Sequence, residues 1–299
     1  MITGLILLNK KAGLTSFEAL GEIKRALGTG KVGHTGTLDK FAQGLLVVLT
    51  GRALKLSPWF SHCDKQYIGR LRFGIETDTL DPEGSVTGEA PVPTREKVEQ
   101  VLSQFHGSIM QSPPAYSAVH INGKRAHELA RSGNAPEMKK RPVTVYKLEL
   151  RSWQPPYAEI FVHCSSGTYI RSLARDIALA AESRAHLCAL TRTQVAGFSL
   201  DLAVNSETAD PLPIDKTAIS AIGLPWFEVT PDEVEKIIHG KPLAPVLDGK
   251  PLFSQDESSQ SALNNCNCNR NFSAAVFSGE TLTAVIEKTD GKWKYGCVI

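Results

Sequence analysis

The sequence predicts an α/β protein of the α+β type in two parts, a larger part over residues 1–212 and a small β-rich part over 213–299. Short apolar runs and segments that alternate between polar and apolar residues predict strands. Segments with apolar residues every three or four positions, bounded by capping residues, predict helices. The composition changes past Leu212-Pro213, and this change places the domain boundary. With 299 residues and 42% hydrophobic content, the chain can bury a substantial core.

The strands are predicted from two kinds of pattern. The run from Gly44 to Leu49 is continuously apolar after its glycine, which is typical of a short strand buried on both faces. The segment from Lys65 to Phe73 instead alternates with a period of two, which is typical of a strand. The other predicted strands lie at 4–8, 143–151, 158–164, 273–277, 282–286 and 293–298.

Four helices are predicted from their caps and apolar spacing. Thr15-Ser16 begins the first, which ends at Gly28. Its apolar face carries Phe17, Leu20, Ile23 and Leu27. Thr94 caps the second helix, and the third follows Thr168 with an apolar stripe at 170, 173, 174, 177 and 181. The fourth begins at Thr230-Pro231-Asp232-Glu233, a capping box with proline at the first helical position.

Two stretches lack a regular pattern. Residues 111–141 contain the helix-excluding pair Pro113-Pro114 and end in the basic run 139–141. A long ordered loop in a compact domain is more often functional than idle, so this stretch is a candidate binding segment. Residues 254–272 are rich in Ser and Asn and predict an exposed insertion or mobile loop.

Charge and composition narrow the class of protein. The net charge is +2, but residues 213–299 carry 8 Lys and Arg against 11 Asp and Glu, so the positive excess lies in residues 1–212 and suggests a polyanionic partner.

No apolar run approaches the roughly 18 residues that span a bilayer. The N-terminus also lacks the features of a secretion signal, so we expect no membrane association and a cytoplasmic location. None of the six cysteines forms a Cys-x-x-Cys pair, so no zinc site is expected. A disulfide scaffold is not expected either, because the chain is expected to be cytosolic and is large enough to build a core.

A polar segment, GHTGTLD at 33–39, directly precedes the strand at 44–49. Its glycines allow a tight turn and a close approach of the backbone to a ligand. Asp39 and His34 are therefore expected on a loop held by a rigid core strand, where catalytic groups are often placed. The plainer alternative is that Asp39 only bonds its own backbone in an Asx turn.

Four segments in order resemble the TruB family, the tRNA pseudouridine synthases that modify the uridine of the T loop at position 55. These segments are 33–39, 65–67 with 74–84, the proline-rich 111–118 with Gly123, and 165–171 followed by Leu190. The resemblance implies a mixed, mostly antiparallel sheet with flanking helices and a small C-terminal PUA-like domain. It also implies that uridine is isomerised by base flipping and an aspartate-dependent C-glycoside rearrangement, with no cofactor and no metal.

The resemblance also implies site roles. Asp39 is the catalytic carboxylate, and Arg171 pairs with it and keeps it ionised by lowering its pKa. Tyr67 stacks on the flipped uracil and helps with proton transfer, while His34 fills the space that the base vacates. The expected substrate contacts are His34, Tyr67, Tyr169 and Leu190, with Lys10, Lys124, Arg125 and 139–141 as phosphate contacts. Whether Asp39 attacks the ribose or the base stays open.

Two positions depart from the usual family pattern. Lys40 stands where proline is common, and Ser166 stands where lysine is common. The expected partner is the T stem-loop of tRNA, bound by a monomer that needs no obligate protein partner. Two alternatives stay open: a guide-RNA-dependent enzyme of the same superfamily that works with protein partners, and an RNA-binding or tRNA-folding protein without catalysis.

Overall fold

The computed structural model describes residues 2–121, 123–133, 136–254 and 272–299. The helices are α1 (Ser16–Leu27), α2 (Ser57–Ser61), α3 (Arg95–Leu102), α4 (Ala126–Arg131), α5 (Ile170–Ala180), α6 (Lys216–Ala221), α7 (Pro231–Ile238) and α8 (Ala244–Leu247). The strands up to residue 125 are β1 (Gly4–Lys10), β2 (Val32–His34), β3 (Gln43–Thr50), β4 (Lys65–Phe73), β5 (Ile75–Thr77), β6 (Val86–Glu89), β7 (Gly107–Gln111), β8 (His120–Ile121) and β9 (Lys124–Arg125). The later strands are β10 (Arg141–Gln154), β11 (Tyr157–Cys164), β12 (Ala185–Val195), β13 (Phe198–Ser199), β14 (Trp226–Glu228), β15 (Phe272–Ser278), β16 (Thr281–Thr289) and β17 (Lys292–Val298). Most of the predicted insertion at 254–272 lies outside the described residues.

The main sheet has the strand order β1-β3-β12-β4-β11-β10-β7, with β2 paired to β3 and β13 to β12. Its recorded pairings are antiparallel except that of β3 with β12, so the expected mixed, mostly antiparallel sheet is confirmed. Every residue of β3 from Gly44 to Thr50 is buried, because separate clusters of apolar side chains pack on the two faces of the sheet. The prediction of a strand buried on both faces is therefore confirmed.

Gly44 is the second residue of β3 and lies at a point that no other residue fits well. Its φ is +105°, a conformation that favours glycine, and a Cβ added there would lie 2.4 Å from the main-chain oxygen of Arg192 on β12. Gly44→Ala is expected to lower the free energy of unfolding by about 1–3 kcal/mol from the backbone conformation, with the clash adding to the loss. Urea denaturation of this variant measures the loss.

Gly223→Ala is the matched control for this prediction. Gly223 also has a positive φ of +74°, but nothing lies within 4 Å of the position that its Cβ would take. The control should therefore show the conformational loss without the clash. Equal losses in the two variants would show that the close approach of β3 to Arg192 does not constrain position 44.

Helices α1, α3 and α5 cover one face of the main sheet with the apolar side chains that their spacing predicts. The Thr15 capping box and the left-handed Gly28 that ends α1 are both present. The predicted face of α1 is wrong at Phe17, whose side chain is 74% exposed and lies beneath the Lys24 ammonium. The face is rotated because Ser16 turns inward, where its hydroxyl bonds both main-chain polar groups of Leu38.

A second sheet, β14-β15-β16-β17, packs on the opposite face of the main sheet. Side chains of β15 and β16, such as Phe277 and Val285, share one apolar cluster with Leu5 of β1 and Leu49 of β3. The three predicted C-terminal strands and the Thr230 capping box of α7 are confirmed. No helix within the described ranges is long and apolar enough to cross a membrane.

The long strand β12 was not predicted. It pairs with β4 along almost its whole length, but its register shifts between Leu187 and Ala189 and again between Arg192 and Gln194. Each bulge moves the following side chains to the other face, so the sequence shows no sustained period of two. Buried polar side chains at His186 and Arg192 weaken the pattern further.

Candidate active site

Asp39 lies on the loop between β2 and β3, and the loop is anchored on both sides of the aspartate. The Ser16 hydroxyl bonds the N–H of Leu38 at 2.9 Å and its carbonyl at 3.0 Å. On the other side, the N–H of Ala42 donates to the Asp39 carbonyl at 3.1 Å. The Asp39 side chain is about a third exposed, at 34%, so its carboxylate is held in place while one side remains accessible.

Arg171, in the first turn of α5, faces this carboxylate with two of its nitrogens. Nε lies 2.9 Å from Oδ2 of Asp39, and one terminal nitrogen donates to Oδ1 at 3.1 Å. Only 5% of the Arg171 side chain is exposed, so the pair is partly withdrawn from water. One hydrogen bond and one ion-pair contact, in which Nε makes no hydrogen bond, thus hold the Asp39 carboxylate beside the guanidinium. The structure thus brings together the two residues expected to pair.

Arg171 is itself held by a second carboxylate, Asp81. The other terminal nitrogen of the guanidinium lies 3.2 Å from Oδ2 of Asp81 and donates to the carbonyl of Thr79 at 2.8 Å. Asp81 is 7% exposed, and its Oδ1 accepts hydrogen bonds from the Thr79 hydroxyl at 2.6 Å and the Glu83 N–H at 3.0 Å. The guanidinium therefore joins the Asp39 loop to the turn after β5.

The pKa of Asp39 differs from the expectation. Burial is the largest influence and raises the pKa of the Asp39 carboxyl; the Arg171 guanidinium lowers it, and the neighbouring Asp81 raises it further. The net direction is upward. The contribution of Arg171 has the expected sign, but the loss of hydration outweighs it.

Tyr67 lies on β4, directly opposite Arg192 of β12. Its side chain is buried, and burial raises the pKa of the Tyr67 hydroxyl while the charge and a hydrogen bond of Arg192 lower it. The charge of Asp39 also raises the pKa of Tyr67. Stacking of this ring on a substrate base remains a prediction, since the ring is covered in this structure.

The other expected contacts are arranged around this centre. His34 ends β2, and burial followed by the charge of Arg192 lowers its pKa. Leu190 is buried on β12, two residues before Arg192. Tyr169 caps α5, with the Arg141 guanidinium 4.9 Å from its ring centroid. Their contacts with a flipped nucleotide remain predictions.

Lys10 does not occupy the exposed position that a phosphate contact needs. Only 1% of the residue is exposed, and its ammonium donates to the carbonyls of Lys11 and Leu14. Burial lowers the pKa of Lys10 to about 8, although the charge of Asp39 opposes the shift. By contrast, Lys124, Arg125, Lys139 and Lys140 are exposed, as phosphate contacts require.

Lys40 and Ser166, the two departures from the family pattern, take no part in the ion pair of Asp39 and Arg171. Lys40 is half exposed and lies 3.9 Å from Glu83, so its charge faces an exposed carboxylate. Ser166 is partly buried in the turn before α5. Among the described residues, no group of three or more His, Cys, Asp and Glu side chains is placed to hold a metal ion.

The fold is that of the pseudouridine synthases. The chain resembles the solved Cbf5-Nop10-Gar1 complex with a TM-score of 0.70 at 24% identity, over 97% of this chain and 79% of that chain. It also resembles the archaeal box H/ACA sRNP Nop10-Cbf5 complex, with a TM-score of 0.68 at 21% identity, over 99% and 85% of the two chains. At these identities the likeness concerns the fold alone.

Sequence similarity identifies the family. Residues 24–170 match the N-terminal domain of the TruB family pseudouridylate synthases. The tRNA pseudouridine synthase B of Borreliella burgdorferi strain ZS7 is 47% identical over 203 residues, which cover 67% of this chain and 72% of the relative. That of Bordetella avium is 47% identical over 225 residues, or 74% and 92% of the two chains. The chain belongs to the TruB family.

Proposed function

We propose that this protein isomerises uridine to pseudouridine in the T loop of tRNAs, at position 55. The observation that carries the proposal is the partly exposed Asp39 carboxylate, fixed at two points by the buried Arg171. The named relatives at 44–47% identity, all called tRNA pseudouridine synthase B, support tRNA as the substrate. Exposed basic residues at 124–125 and 139–140 suit a polyanionic partner.

The reaction breaks the N1–C1′ glycosidic bond, turns the base and joins C1′ to C5. The hydrogen on C5 leaves as a proton while N1 gains one, so no oxidant or reductant is required. Asp39 acts either as the nucleophile or as the group that accepts a proton, and Arg171 holds its carboxylate towards the substrate. Flipping a base out of its stack costs a few kcal/mol by the general estimate, which a planar side chain such as His34 offsets by filling the gap.

We propose that the protein acts alone. We assign catalysis to residues 1–212 and propose that residues 213–299 form a PUA-like domain that adds contacts to RNA. We further propose that the protein works as a monomer in the cytoplasm, without an obligate protein partner or guide RNA. Similarity to relatives that are named as tRNA enzymes favours this over a guide-RNA-dependent enzyme.

Tritium release from a tRNA transcript tests the proposal. Purified protein is mixed with an unmodified transcript that carries tritium at C5 of its uridines, and the released label is counted. We expect release without added protein or guide RNA, and no release when the T-loop uridine at position 55 is replaced by cytidine. Tight tRNA binding without release would refute the stand-alone enzyme and favour a binding protein or a partner-dependent one.

A further inference from the structure

Arg192 is a buried cation that the expected set of site residues did not include. Only 2% of it is exposed, and no carboxylate lies within salt-bridge distance of it among the residues that the structure describes. Arg171, by comparison, is flanked by two carboxylates. Because burying an uncompensated charge is costly, the guanidinium must be stabilised by something else.

The partners of Arg192 are main-chain carbonyls around the Asp39 loop. Its Nε donates to Leu45 at 2.7 Å, one terminal nitrogen donates to Gly36 at 3.0 Å, and the other lies 3.5 Å from the Thr37 oxygen. Gly36 and Thr37 lie just before Asp39, and Leu45 lies in β3 just after the loop. One side chain thus fixes the loop both ahead of the aspartate and beyond it.

The backbone of Arg192 lies at the junction of the two strands that carry the site. Arg192 pairs with Gly44 of β3 on one side and with Tyr67 of β4 on the other. The charge of Arg192 also lowers the pKa of the Tyr67 hydroxyl. Any movement of Arg192 would therefore change the spacing between the Asp39 loop and the Tyr67 ring.

We propose that Arg192 is a positioning residue, which holds the Asp39 loop and Tyr67 at a fixed separation for the reaction. It acts through these two groups and does not itself touch the substrate. An arginine suits this role because its planar fork donates in several directions at once, whereas one lysine ammonium cannot reach three carbonyls around it with the same geometry. The expected effect of Arg192 on kcat rests on the proposed function. Its role in holding the Asp39 loop does not.

Two measurements on Arg192→Met test the assignment. In tritium release, kcat is expected to fall about 100-fold, the typical effect of displacing a catalytic group by about 1 Å, while tRNA affinity stays close to that of the wild type. In hydrogen exchange of the free protein, the amides of residues 33–39 should exchange faster, whereas those of β10 and β11 should not. Arg184→Met is the control, because Arg184 pairs with Glu76 away from this loop; it should change neither result.

Arg192→Lys covers the case in which the methionine variant does not fold. It keeps the charge but loses the fork, so the same faster exchange at 33–39 and the same loss of kcat are expected. A folded variant with wild-type kcat, or with reduced kcat but unchanged exchange at 33–39, would overturn the assignment. If the wild type itself releases no tritium, the proposed function fails, and the exchange result still decides whether Arg192 holds the loop.

Discussion

Asp39→Asn is expected to abolish tritium release from the T-loop uridine while leaving the protein folded and able to bind tRNA. Asparagine keeps the shape of the side chain but cannot act as a nucleophile or accept a proton as a carboxylate does. Loss of an essential nucleophile or base typically lowers kcat by orders of magnitude. Single-turnover release with excess enzyme, together with tRNA binding by filter retention, separates the two effects.

The same variant should be no less stable than the wild type. A raised pKa in the folded state means that the folded protein favours the protonated carboxyl of Asp39. That contribution to stability is present below the unfolded-state pKa and is lost as the pH rises through the folded-state pKa. Above the folded-state pKa of Asp39 the wild type has lost it, whereas an uncharged amide does not carry the cost. Thermal unfolding at neutral and acidic pH measures this difference.

Asp176→Asn is the matched control for Asp39. Asp176 is also partly buried, burial raises its pKa while Arg175 lowers it, and it sits on α5 beyond the Arg171 pair. It should retain tritium release. Release by the Asp39 variant at the wild-type rate would show that the carboxylate has no catalytic role and would leave the Asx-turn interpretation.

The elements that the sequence predicts well are those whose apolar pattern is local. The caps of α1 and α7, the apolar stripe of α5 and the continuous run of β3 depend on neighbouring residues, so one sequence is sufficient to identify them. The catalytic loop was found because glycines before a buried strand indicate a tight turn. The pairing of Asp39 with Arg171 was expected from the family resemblance, since 132 residues separate the two in the chain.

The features that were missed depend on contacts between distant segments. Whether a polar residue such as Lys10 or Arg192 is buried depends on which carbonyls the fold places around it. The direction of the Asp39 pKa likewise depends on how much of the carboxylate is enclosed, and no local pattern reports that. Asp81 lies in the segment 74–84 that resembles the family, and no role was predicted for it. A second acidic residue in the matching segments could have indicated that Arg171 binds two carboxylates.

Arg171→Met is expected to remove activity and to lower the free energy of unfolding by about 3–5 kcal/mol, the usual cost of removing one partner of a buried ion pair. Activity is lost because Asp39 is no longer oriented. Stability is lost because Asp81, only 7% exposed, is left without its counter-charge. Arg175→Met, one turn further along α5, removes a partly exposed pair with Asp176 and a hydrogen bond to the Ser112 carbonyl, and should cost less. Urea denaturation of both variants compares these losses.

A double variant identifies the source of the loss. If unpaired carboxylates cause it, adding Asp81→Asn to Arg171→Met should restore part of the stability, because the amide carries no charge and keeps an oxygen for the Thr79 hydroxyl and the Glu83 N–H. Adding Asp39→Asn should restore less, since 34% of that side chain is exposed, against 7% for Asp81. Simple additivity of the single losses would contradict this account and assign the loss to the packing of the Arg171 side chain. In that case, lowering the pH should not reduce the difference in free energy of unfolding between the Arg171→Met variant and the wild type. If unpaired carboxylates cause the loss, their protonation at low pH should reduce that difference.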